Sequence, residues 1–68
     1  MSSKWIMIVD FRMMHRAQIV KDFLEDNNIN VVIVDKKDSA YQLGWFEVYV
    51  ERDNVIISKK LIADTLNF

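Results

Sequence analysis

The richest run of chemically able side chains is Lys36-Lys37-Asp38-Ser39-Ala40-Tyr41, with two cations, a carboxylate, a hydroxyl and a phenol within six positions. On a polar connection held by a rigid scaffold, such a set could take a nucleotide or another small anion. Lys36, Lys37, Asp38, Ser39 and Tyr41 are therefore the candidate ligand-binding residues. His15, with Arg12 and Arg16 nearby, falls where a helix should start, a place suited to anions. No glycine-rich turn precedes it to bring backbone close to a phosphate, so ordinary solvated surface is the better reading. Nucleophilic catalysis needs a serine or threonine beside an oriented base, and the single histidine has no evident partner. The acidic pair Glu25-Asp26 and the basic pair Lys59-Lys60 read as solvated helix faces. Without cysteine, disulfides and thiolate metal sites are excluded, and one histidine is too few for a protein-only transition-metal site. The expectation is no enzyme and no cofactor.

Five elements must position these residues. Trp5 to Val9 is short, apolar and β-branched, and reads as a strand. After Asp10, Met13, Ala17, Val20 and Leu24 recur at helical spacing, widened by Ile19 and Phe23. Asn27-Asn28 should end that helix, because asparagine tolerates the left-handed conformation of helix C-termini. Ile29 to Val34 is a strand apolar on both faces, and Asp35 to Leu43 is a polar connection. From Trp45 to Glu51 the chain alternates, with Phe46, Val48 and Val50 on one side and Glu47, Tyr49 and Glu51 on the other. Asp53 is the expected N-cap of a last helix carrying Val55, Ser58, Ile62 and Leu66 on one face, with Leu61 beside them.

The order is β-α-β-β-α in a single domain over residues 1–68. Its simplest compact form is an α+β sandwich of the ferredoxin-like kind. The three-stranded antiparallel sheet has order 1-3-2, and two helices cover one face. A fourth strand of the full arrangement is missing, which leaves the first strand as an open edge. Alternation then predicts a helix-free face of Trp5, Met7, Val9, Val32, Val34 and Tyr49. An apolar patch of that extent marks an interface, and a one-residue slip would exchange the two faces.

The 68 residues leave room for one small core, and hydrophobic residues make up 51% of the chain. Small domains that lack disulfides and metals often gain stability by oligomerising, so a homo-oligomer is expected, a dimer first, with another protein as the alternative partner. A net charge of −1 does not favour nucleic acid. Trp5 and Tyr49 on adjacent strands resemble the stacking aromatics of RNA-binding sheets, but Glu47 and Glu51 on the same face would repel phosphates. No apolar run is long enough to cross a membrane, and the N-terminus lacks a signal-peptide pattern, so the cytoplasm is the default location.

In its order of segments the chain resembles a small bacterial family described as signal-transducing proteins, a domain of unknown function. The matching pieces are Trp5 on the first strand, Ala17-Gln18-Ile19-Val20-Lys21 and Leu24-Glu25 on the helix, and Asn28-Ile29 into the second strand. Lys36 to Tyr41, Gly44 and Glu47-Val48-Tyr49-Val50 complete the match. Two positions depart from the family's pattern: Asn28 stands for a usual glycine and Ser58 for a usual alanine. That family is similar to the ferredoxin-like PII nitrogen-signalling regulators. The resemblance implies the same fold and a regulatory role. It does not carry over nucleotide or 2-oxoglutarate binding, which in PII proteins uses long loops that this sequence does not show.

Overall fold

A computed structural model describes residues 4–38, 40 and 43–66. The elements are β1 (Trp5–Phe11), α1 (Met14–Asp26), β2 (Val31–Asp38), β3 (Leu43–Glu51), one 3-10 turn (Arg52–Asn54) and α2 (Val55–Thr65). The sheet is antiparallel in the order β1-β3-β2, with two helices in the β-α-β-β-α order of an α+β ferredoxin-like arrangement. Both helices pack on the sheet and on each other.

Alternation along β3 decides which face the helices cover. Val48 and Val50 are fully buried, and Val31, Ile33 and Ile6 lie opposite them on the neighbouring strands. The helices close this face with Ala17, Val20 and Leu24 from α1 and Ser58 from α2, all fully buried. Phe23, Val55, Leu61, Ile62 and Leu66 pack around them. Spacings of three and four put these residues on one side of each helix.

Several boundaries differ from the sequence expectation, each for a local reason. Met13 and Ile19 are exposed rather than part of the buried stripe, since Met13 only precedes α1 and Ile19 lies off the Ala17–Val20–Leu24 line. β1 continues through Phe11, which packs against the core. β2 starts at Val31 and runs on through Asp38, because its polar half keeps pairing with β3 in an unbroken register. Asp53 sits inside the 3-10 turn, so Asn54 rather than Asp53 precedes α2, with no side-chain cap.

The exit from α1 follows the expected chemistry in detail. Asn28 has φ 65°, in the left-handed region. Its N–H donates to the Glu25 carbonyl at 3.0 Å, and the Ile29 N–H donates to the Leu24 carbonyl at 3.0 Å. This is the paired closure of a Schellman motif, and its hydrophobic contact is supplied by buried Ile29 and Leu24. Asn27 adds a side-chain bond, Nδ2 to the Phe23 carbonyl at 2.9 Å. The turn thus satisfies the last helical carbonyls and aims the chain into β2.

Candidate functional site

Residues directly opposite each other on neighbouring strands share a face, so the helix-free face can be read off the register. β3 contributes Leu43, Trp45, Glu47, Tyr49 and Glu51. On one side of β3, Trp5 lies opposite Glu51, Met7 opposite Tyr49, and Asp10 opposite Glu47. On the other side, Val32 lies opposite Tyr49, Val34 opposite Glu47, Lys36 opposite Trp45, and Asp38 opposite Leu43.

Five of the six expected interface residues, Trp5, Met7, Val32, Val34 and Tyr49, lie on this face. Val9 does not. The register shifts between Met7 and Val9, which leaves Ile8 as an extra residue and sets Val9 opposite buried Val48. Ile8 and Val9 therefore both pack against the core. The bulge has a clear cause. With strict alternation from Ile6, Asp10 would point under the helices and Phe11 would point to solvent, and burying an unpaired carboxylate is costly. One extra residue exchanges the two.

The face is apolar at its margins and polar along its middle. Trp5 is 36% exposed, Met7 43%, Val32 41% and Leu43 43%. Between them, the Glu47 carboxylate accepts two hydrogen bonds from its own strand, from Trp45 Nε1 at 2.9 Å and Tyr49 Oη at 2.8 Å. Trp45 is a member of the face that the sequence reading did not assign, although its place two residues before Glu47 was the available signal. The Trp45 and Tyr49 bonds hold the Glu47 carboxyl below the usual carboxylate range, and Lys36 adds a smaller attraction. The same bond pushes the Tyr49 hydroxyl above its usual value, since ionising it would place two negative charges together. Asp10 opposite Glu47 is a like-charge pair, which disfavours the sheet. The neutral donors let Glu47 stay ionised in spite of it. At the end of the row, Glu51 accepts from Asn30 Nδ2 at 3.1 Å and pairs with Lys4 at 3.6 Å.

The candidate ligand residues do not form one loop. Lys36, Lys37 and Asp38 belong to β2. Lys36 and Asp38 share the helix-free face and Lys37 takes the other, so the two ammonium groups leave opposite sides of the sheet. Asp38 Oδ1 accepts the Ala40 N–H at 3.1 Å and shapes the start of the hairpin turn. Ser39 and Tyr41 lie outside the described residues. Arg12, His15 and Arg16 are exposed at the start of α1. Among the described residues no group of three or more His, Cys, Asp or Glu is placed to hold a metal, and no helix is long and apolar enough to cross a membrane.

No protein-family model matches the chain, and no curated protein and no solved structure matches it. Fold and site together define a two-layer α+β domain with one covered sheet face and one open, aromatic-bearing face.

Proposed function

We propose that this chain is a non-enzymatic regulatory or protein-interaction module that self-associates through its sheet in the cytoplasm. Its place would be in the bacterial signal-transducing family that it resembles. The observation that carries the reading is the helix-free face, where Trp5, Met7, Val32 and Leu43 are each exposed by more than a third. Apolar area gathered on one face is favourable to bury and marks a binding surface. The ladder of Trp45, Glu47 and Tyr49 supplies the polar groups that fix orientation. A small-ligand site at Lys36 to Tyr41 has less support, because Lys36 and Lys37 diverge. RNA binding is disfavoured by the ionised Glu47 at the centre of the face.

Met7 lies opposite Tyr49 and is exposed, so Met7→Glu leaves the core untouched and places a charge on the apolar β1 margin of the face. The expected outcome, read by light scattering after size exclusion, is a halved molar mass with the helical circular-dichroism signal retained. A variant whose mass equals that of the native chain would remove this face as the contact.

A further inference from the structure

We infer that the outer edge of β2 is a second self-association surface, joined antiparallel to β2 of another copy by a two-fold axis at Lys36. The inference rests on the reading of the chain as a self-associating module and deepens it by naming a contact distinct from the helix-free face.

The sheet ends in two edges, β1 and β2. β1 is bulged at Ile8, and a bulge bends a strand and interrupts the row of groups it could offer to a newcomer. β2 is different: its eight residues pair with β3 in an unbroken register, Val31 with Val50 through Asp38 with Leu43. The regular edge carries unpaired N–H and C=O groups ready for strand addition, and a two-fold axis at Lys36 pairs residues 34–38 of the two copies.

Charge identifies the occupant as a second copy. Asp35, Lys36 and Lys37 are exposed, and no ion pair among the described residues involves them. A two-fold axis normal to the sheet keeps both helical layers on one side, and only residues of the same face can then oppose each other. With the axis at Lys36, Asp35 of each copy faces Lys37 of the other, giving two opposite-charge pairs. The remaining Lys36–Lys36 contact is a like-charge one on the open face, outnumbered by the two opposite-charge pairs. Neighbouring registers do worse. An axis at Asp35 sets Asp35 against itself and forms no opposite-charge pair. With the axis at Lys37, the attractive pairs would need Asp38, whose Oδ1 already accepts the Ala40 N–H. Axes at Val34 and at Ile33 set Asp35, Lys36 and Lys37 against uncharged residues of the partner and form no opposite-charge pair. Backbone bonds supply the affinity of such an edge contact, and the charges set its register.

The test uses the full chain and a charge exchange, with molar mass by light scattering and circular dichroism as the fold control. Lys37→Asp should halve the mass of the native assembly, and Asp35→Lys should do the same by the opposite repulsion. The double variant Asp35→Lys/Lys37→Asp should restore the native mass, because both pairs return with their signs exchanged. A monomeric native chain, a mass unmoved by either single change, or a double variant that stays dissociated would overturn the edge contact. Met7→Glu separates the two surfaces. If it halves the mass while Lys37→Asp does not, the face is the contact and the β2 edge is refuted; the reverse result refutes the face and upholds the edge.

Discussion

Ser58 is fully buried in α2, and among the described residues its hydroxyl is the buried side-chain polar atom without a hydrogen-bond partner. A hydroxyl stripped of water and left unpaired is destabilising, while alanine fits the same space and is the better helix former. Ser58→Ala should therefore stabilise the fold by about 1 kcal/mol, which for a domain of this size raises the melting temperature by about 4–8 °C. A lower melting temperature would show that the hydroxyl contributes a bond worth keeping. Glu47 and Tyr49 make a second prediction through titration. The folded carboxyl of Glu47 is shifted down, so its contribution is present above the ordinary carboxylate pKa and is lost as pH falls through the folded value. The Tyr49 hydroxyl is shifted up, so its contribution is present below the ordinary tyrosine pKa and is lost as pH rises through the folded value. The pair thus supports the fold across the window between those two ordinary values. In a Tyr41→Phe background the remaining tyrosinate absorbance should titrate above free tyrosine, and adding Glu47→Gln should bring it back down. A midpoint that ignores Glu47→Gln would exclude the Tyr49–Glu47 bond in solution.

At the scale of elements, the sequence was legible wherever one physical rule acted alone. Phe46, Val48 and Val50 against Glu47, Tyr49 and Glu51 stated the two faces of β3, and the structure has them so. Asn27-Asn28 announced the helix exit, and Asn28 is left-handed there. The order β1-β3-β2 followed from one crossover helix and one hairpin. Reading failed where two rules competed. In β1, alternation opposed the burial cost of Asp10, and the chain resolved the conflict with a bulge at Ile8 that carried Val9 off the open face. The signal was present, since a charge stood on the inward parity just before the apolar Phe11. In β2, the charges of Asp35 to Asp38 suggested a loop, but an edge strand can solvate charged side chains without leaving the sheet. This second misreading hid the site most: five residues taken as one ligand loop include two lysines on opposite faces and an aspartate that caps its own turn.

The whole molecule is thin, with a smallest dimension of 15 Å, the depth of a single helical layer on a single sheet. Among the described residues seven hydrophobic side chains form the buried core, and Phe11, Phe23 and Phe46 are only partly covered. A layer this shallow excludes water from one side of the sheet and leaves the other side and both edges exposed, so a lone copy should be marginally stable. If association completes the fold, stability depends on protein concentration, because unfolding must also separate the copies. For a dimer of domains this size, each tenfold rise in concentration should raise the melting temperature by about 3–5 °C. The measurement is a set of calorimetric scans from micromolar to hundreds of micromolar. Constant melting temperatures across that range would mean that the monomer carries its own stability, and both the open face and the β2 edge would then lose their place as contacts between copies. A rising series that Met7→Glu or Lys37→Asp flattens would assign the added stability to the surface that the substitution removes.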